Sequence, residues 1–82
     1  MSAENDVFPK MNEECANVLK SIVLALASPL PYQQTKARSL LDVLYEKKCK
    51  EALGWIHEKY GSHPAVHVQK IAQRALEFYN RL

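Results

Sequence analysis

The fold of this chain is decided by residues 61–82, GSHPAVHVQKIAQRALEFYNRL. Apolar side chains recur there at steps of three and four residues: Val68, Ile71, Ala72, Ala75, Leu76, Tyr79 and Leu82. This spacing predicts a helix with one face in a hydrophobic core. Ser62 or His63 can cap the helix, and Pro64 fits its first turn, where a missing N–H costs nothing.

Length and composition predict a single domain with little surplus stability. The chain has 82 residues, 48% of them hydrophobic, with only two Gly and four Pro. A chain this short buries about 60–65% of its unfolded surface. We expect residues 1–10 to form a flexible lead-in and residues 11–82 a single helical domain. The net charge of +2 is only a weak bias toward acidic partners and does not indicate bulk nucleic-acid binding.

A first helix is predicted from Asn12 to Ala27. Asn12 is a good N-cap, and the two glutamates that follow complement the positive end of the helix dipole. The predicted buried face consists of Cys15, Val18, Leu19, Ile22, Val23 and Leu26. The segment Ser28-Pro29-Leu30-Pro31 ends the helix, because proline cannot continue the hydrogen-bond ladder.

A second helical stretch is predicted from about Thr35, with Gln34 or Thr35 as its cap. Its apolar positions run on through Ala37, Leu40, Leu41, Leu44, Tyr45, Cys49, Ala52, Leu53, Ile56 and Tyr60. Two architectures fit this pattern: one helix over 36–60, or two helices that break around 46–50. The lack of Gly or Pro favours continuity, but a helix about 38 Å long suits so small a domain poorly. Two helices, or a kinked one, are slightly favoured. No alternating strand pattern occurs, so we predict an all-α bundle of three to five helices.

The two cysteines, Cys15 and Cys49, have no C-x-x-C partner. We predict reduced, partly buried thiols, which suit an intracellular, reducing compartment such as the nucleus or cytoplasm. The sequence leaves open whether they form a disulfide, since it does not give the distance between them in space. No signal peptide is recognisable, and the longest apolar run, residues 21–27, is far below the roughly 20 residues that span a bilayer. We therefore expect a soluble protein with no membrane partner.

Catalytic and metal-binding patterns are absent from the sequence. His63 and His67 stand four apart, with His57 nearby, but no further ligand at suitable spacing except Glu58 accompanies them. Neither cysteine has an adjacent His, no serine lies in a nucleophile elbow, and no Gly-rich phosphate loop occurs. We therefore expect no enzyme activity, no cofactor, no metal and no small-molecule substrate.

Partner-binding residues are predicted in the middle of the chain. Trp55 lies off the apolar stripe, and Trp55 and Tyr60 suit a role as aromatic anchors at a helix junction. The alternative is that Trp55 closes the core under the Pro29/Pro31 loop. The cations Lys48, Lys50 and Lys59 can steer acidic flanks of a partner, bind a phosphate backbone, or simply be solvated.

The C-terminal half resembles the N-terminal (LW) domain of transcription elongation factor S. The resemblance lies in Ala52-Leu53-Gly54-Trp55-Ile56, His57-Glu58-Lys59-Tyr60 and the spacing Ile71-Ala72-x-x-Ala75-Leu76-x-x-Tyr79-x-x-Leu82, within about Leu40 to Leu82. It departs at Tyr79, where the family has Trp, at Ala75, where it has a larger residue, and in a shorter segment between Leu44 and Leu53. The resemblance implies a helical bundle that binds short disordered motifs of transcription or chromatin proteins. It also implies packing roles for Gly54 and Ile56, and core positions for Ala72, Leu76 and Tyr79.

The sequence as a whole indicates a protein–protein interaction module. A groove between the middle and last helices would take an apolar anchor of a partner, while Lys48, Lys50 and Lys59 attract its acidic flanks. Two alternatives remain: a nucleic-acid-binding helical domain, and a structural subunit of a larger assembly.

Overall fold

The computed structural model describes residues 9–82, which form four α-helices and no strand. The helices are α1 (Glu13–Leu26), α2 (Pro31–Glu46), α3 (Lys50–Tyr60) and α4 (Val66–Arg81). The prediction of an all-α bundle is confirmed. Within this part of the chain, no helix is long and apolar enough to cross a membrane. The predicted lead-in lies outside the described residues, apart from Pro9 and Lys10.

Helix α1 begins where the sequence predicts. The side-chain oxygen of Asn12 accepts a hydrogen bond from the backbone N–H of Cys15 at 2.7 Å, which satisfies one of the free N–H groups of the first turn. The predicted buried face is correct for Cys15, Leu19, Ile22 and Leu26. Val18 and Val23 are only half-buried and pack at the edge of the core.

Helix α2 begins four residues earlier than predicted, and neither Gln34 nor Thr35 is its cap. Pro31 occupies the first helical position, and the carbonyl of Leu30 accepts hydrogen bonds from the N–H groups of Gln33 (3.0 Å) and Gln34 (3.3 Å). Pro31 therefore starts one helix rather than only ending another, because its missing N–H would have no partner at this position anyway.

A corner at residues 47–49 separates α2 from α3, so the stretch over 36–60 forms two helices. Lys48 has φ 58°, in the left-handed region, and is the one non-glycine residue of the described chain with positive φ. The N–H of Cys49 donates to the carbonyl of Leu44 at 2.9 Å, which closes the end of α2. Since Lys48 carries a Cβ, its conformation costs about 1–2 kcal/mol that the surrounding packing must offset.

The four helices form two hairpins, α1–α2 and α3–α4. Within each hairpin the helices pack extensively, and α4 also packs along α2. The Tyr45 and Phe78 rings stack with centroids 4.4 Å apart, and the Arg74 guanidinium contacts the Asp42 carboxylate at 3.1 Å. These two contacts show that α2 and α4 run in the same direction, with their C-terminal ends side by side.

Helix α4 carries most of the core face that the sequence predicts, with Val68, Ile71, Ala72 and Ala75 buried and Leu76 and Tyr79 half-buried. It begins at Val66, two residues after Pro64, and Ala65 is the N-cap residue. His63 still contributes, because its Nδ1 accepts a hydrogen bond from the Ala65 N–H at 3.1 Å. Phe78 is buried although it was not on the predicted stripe, whereas Leu82 is 39% exposed although it was. At the end of α4 the buried face includes Phe78, because the ring of Tyr45 on α2 packs against it.

The cysteines form a disulfide, so the prediction of two reduced thiols is wrong. Cys15 and Cys49 are both buried, with an S–S distance of 2.02 Å and a Cα–Cα distance of 5.8 Å. The bond joins the first turn of α1 to the residue that precedes α3, and so links one hairpin to the other. The argument for a reducing compartment loses its premise, because disulfides persist chiefly in oxidising environments.

Removal of this disulfide is expected to destabilise the domain strongly. The two cysteines are 34 positions apart in sequence, and closing a loop of that length is worth about 4 kcal/mol in the chain-entropy account. Replacing Cys15 and Cys49 together by Ser should lower the free energy of unfolding, measured by urea denaturation, by about that amount.

The wild-type protein treated with dithiothreitol is the matched comparison. It should lose the same stability, whereas the double variant should be insensitive to the reductant. A wild-type unfolding curve that does not move on reduction would show that the disulfide does not hold the hairpins together.

Candidate partner-binding groove

An open groove of about 600 Å³ lies between α3 and α4. It is lined by Pro9, Lys50, Glu51, Gly54, Trp55, His57, Glu58, Leu76 and Tyr79. More of its lining surface is apolar than polar. A concave surface with apolar walls and a few polar groups at its rim is the usual form of a binding site.

The wall of the groove is built around Gly54 and Tyr79. A Cβ on Gly54 would lie 3.0 Å from Cε2 of Tyr79, closer than the two atoms could remain without moving the ring. Glycine therefore allows the tyrosine ring to lie directly on the backbone of α3. Lys50 also contacts the ring: its Nζ lies 4.8 Å from the ring centroid, in a cation–π contact.

Trp55 lies at the edge of the groove and is half-buried. Its ring meets the Tyr60 ring edge-on, with centroids 6.1 Å apart, and Lys59 Nζ lies 6.0 Å from its centroid. Since each residue of a helix advances by about 100°, Lys59 stands on the side of α3 opposite to Lys50. Tyr60 and Lys59 thus border Trp55 but do not line the groove.

The structure brings only part of the predicted site together. Trp55 and Lys50 line the groove, Tyr60 and Lys59 contact Trp55 from outside it, and Lys48 lies apart, at the corner between α2 and α3. The sequence prediction missed the groove positions of the last helix, because Leu76 and Tyr79 were both assigned to the core. Their place at the margin of the apolar stripe of α4 was the signal that could have identified them.

The rim of the groove carries both signs of charge. Glu51 and Glu58 are exposed and line the groove together with Lys50. The lysine that was predicted to attract acidic flanks is therefore accompanied by acidic side chains, and a purely acidic partner would meet two carboxylates as well as one ammonium group.

A second, more polar groove of about 500 Å³ lies between α2 and α4. It is lined by Gln34, Thr35, Arg38, His67, Lys70, Ile71, Gln73, Arg74 and Glu77. The guanidinium of Arg74 is held in this groove by Asp42, and its Cζ lies 5.0 Å from the Phe78 ring centroid. Arg38 and Lys70 are exposed, and their positive charges would attract anionic ligands to this groove.

The histidines do not form a metal site together. Among residues 9–82, no three side chains of His, Cys, Asp or Glu are placed to hold a metal ion. His63 uses Nδ1 to accept the Ala65 N–H, and Nδ1 of His57 is buried without a hydrogen-bond partner in the described chain. The His57 ring belongs to the groove wall instead.

Comparison with known proteins adds no relative. No family model, curated protein or solved structure matches this chain. The resemblance to the LW domain therefore depends on the residues quoted above.

The Tyr60 hydroxyl is expected to make the stability of the protein depend on pH in the alkaline range. Burial raises the pKa of Tyr60, because desolvation disfavours the phenolate. The unfolded chain then loses this proton near pH 10 while the folded chain keeps it, so unfolding is favoured as pH rises. The contribution is complete below about pH 10 and is lost as pH rises through the folded-state pKa.

Urea denaturation of wild type and Tyr60→Phe at a series of pH values measures this effect. The difference in unfolding free energy between the two proteins should be constant below pH 9 and should shift against the wild type above pH 10. Parallel curves over the whole range would show that the folded and unfolded proteins bind the Tyr60 proton equally.

Proposed function

We propose that this chain is a small protein–protein interaction module whose α3–α4 groove binds an apolar side chain of a short motif. The observation that carries the proposal is the groove itself, in which Gly54, Leu76 and Tyr79 form an apolar wall open to solvent. The half-buried Trp55 at its edge supports the same role, since an amphipathic aromatic ring can cover an incoming side chain.

The free energy that one buried side chain contributes determines the type of ligand. Burial of one Leu- or Phe-sized side chain contributes about 1.5–3 kcal/mol. That is less than the roughly 4 kcal/mol of even a millimolar complex. Further contacts along the rim are therefore needed, and a peptide of several residues is a better ligand than a single side chain.

The charges at the rim determine the flanks of that peptide. Lys50 favours an acidic group beside the Tyr79 ring, while Glu51 and Glu58 favour a basic group on the neighbouring turn of α3. Lys59, next to Trp55, and Lys48, at the corner, lie farther out and act on the rate of association rather than on the bound complex. Lys48, Lys50, Lys59, Trp55 and Tyr60 thus keep a role in the proposal, at different distances from the groove.

A role in transcription or chromatin would follow from the resemblance to the LW domain. Its expected packing positions suit this geometry, since Ile56 and Ala72 are buried and Gly54 contacts Tyr79. Leu76 and Tyr79 differ from simple core positions, because both also line the groove. Identification of the ligand tests this part of the proposal.

Nucleic-acid binding is the second candidate, and the polar α2–α4 groove favours it. Arg38 and Lys70 are exposed there and can contact phosphate oxygens, beside Arg74, whose guanidinium is paired with Asp42. Such binding would weaken steeply with salt and would be insensitive to changes at Tyr79.

Selection from a displayed library of random peptides tests the proposed function. We expect enriched sequences to share one apolar anchor and to bind with micromolar affinity by titration calorimetry. Tyr79→Ala should weaken binding at least tenfold, because the wall of the groove is lost. Tyr32→Ala, the same change at an exposed tyrosine remote from this groove, should leave affinity within twofold.

Chemical-shift mapping with an enriched peptide separates a lost contact from a lost fold. The wild-type amide signals of Gly54, Trp55 and Leu76 should shift on titration. Peptides that shift only residues outside α3 and α4, or that bind Tyr79→Ala as they bind wild type, would overturn the proposal.

A further inference from the structure

The first hairpin contains a long segment without acidic residues. Residues 15–41 include no Asp or Glu, and the charged side chains among them are Lys20, Lys36 and Arg38. Between Lys20 and Lys36 the chain carries no charge at all. This uncharged part contains the end of α1, the connection to α2 and the start of α2.

The turn between α1 and α2 also exposes large apolar side chains. Leu24 is 73% exposed, Leu30 46% and Tyr32 64%, which are among the highest values for large hydrophobic residues in the described chain. Other exposed residues around them are Ala27, Pro29 and Pro31. We call this surface, Leu24 to Tyr32, the α1–α2 tip. Exposed hydrophobic side chains that lie close in sequence around the connection of two helices indicate an interaction surface.

The nearest cations lie one helical turn behind the tip. Lys20 precedes Leu24 by four residues on α1, and Lys36 follows Tyr32 by four on α2, so each pair shares a helix face. Both lysines are exposed. One turn of helix is about 5.4 Å, and the headgroup layer of a bilayer is about 5–7 Å thick on each side.

We propose that the α1–α2 tip docks on the surface of an anionic lipid membrane. Leu24, Leu30 and Tyr32 reach the boundary of the acyl chains, while the ammonium groups of Lys20 and Lys36 remain at the level of the lipid phosphates. The expectation of no membrane partner was based on the lack of a spanning segment. Adsorption to a surface needs only a few exposed apolar side chains and nearby cations.

Two other occupants of the tip fit the charges or the shape less well. A second copy of the chain would bring Lys20, Lys36 and Arg38 of both molecules together without a nearby acidic residue from this segment, and like charges repel. A peptide partner is better bound by a concave surface, and the tip is the end of a hairpin. An anionic membrane supplies both an apolar layer and the opposite charge.

Sedimentation with lipid vesicles tests the proposal on the full chain with its disulfide intact. Each cation near an anionic surface raises the partition coefficient from water to the membrane about fivefold. Vesicles with 30% phosphatidylserine should therefore bind the protein at least tenfold more strongly than phosphatidylcholine vesicles at low salt. In 0.5 M NaCl, most of this preference should disappear.

Paired variants identify the surface that binds. Leu24→Ser combined with Tyr32→Ser should lower the partition coefficient at least tenfold, and Lys20→Gln combined with Lys36→Gln should remove most of the dependence on phosphatidylserine. Leu82→Ser is the matched control, because Leu82 is also exposed but follows the C-terminal end of α4, beside the end of α2 that is remote from the tip. All four side chains of the test variants are exposed, so circular dichroism should show unchanged helix content.

Three outcomes would overturn the proposal. One is equal binding to both types of vesicle, and another is unchanged binding of the Leu24/Tyr32 variant. The third is a concentration-dependent dimer, seen by analytical ultracentrifugation, that the same variant abolishes, since this would assign the tip to a second copy. A failure of the groove hypothesis would leave this test unaffected, because the tip and the α3–α4 groove share no residue.

Discussion

The corner at residues 47–49 is the constraint on which the rest of the structure depends. The apolar stripe continues through it, and one helix over 36–60 would satisfy the local pattern of the sequence. The left-handed Lys48 ends α2 and sends α3 in a new direction. Its cost of about 1–2 kcal/mol is small beside the burial of Leu44 and Leu53 on the two sides of the corner, which contributes about 1.5–3 kcal/mol for each side chain. The disulfide, formed by Cys49 immediately after Lys48, fixes the corner against α1.

The groove follows from this corner. Once α3 leaves α2, it can form a hairpin with α4, and the close approach of Gly54 and Tyr79 sets the apolar wall. The stacked rings of Tyr45 and Phe78 hold α4 against α2 as well. The groove and the α1–α2 tip therefore belong to different hairpins, which share a core but expose different chemistry. The groove combines an apolar wall with both signs of charge, whereas the tip combines apolar side chains with lysines alone.

Much of the fold could be predicted from the sequence, because its determinants are local. Three- and four-residue spacing identified the helices, and the Asn12 cap fixed the start of α1. The errors have both tertiary and local causes. The disulfide depends on a separation in space that no spacing in sequence reveals. Phe78 stands three residues after Ala75 and seven after Ile71, so its burial under Tyr45 agrees with the helical spacing and is an omission from the predicted stripe. Pro31 was interpreted as a stop although proline at the first position of a helix is equally a start. Of the predicted site residues, Trp55 and Lys50 line the groove. Leu76 and Tyr79 line it as well, although the sequence predicts them only as core positions, because the margin of one apolar helix face can contribute to both a core and a groove.

The two-hairpin arrangement is tested most directly by backbone chemical shifts of the oxidised protein in solution. The ¹³Cα shifts should be helical over residues 31–46 and again over 50–60, with an interruption at 47–49 and a left-handed signature at Lys48. Nuclear Overhauser contacts between the Tyr45 and Phe78 rings should accompany them. Uninterrupted helical shifts from residue 36 to residue 60 would contradict this account, because a continuous helix would leave no corner and no α3–α4 groove of this form.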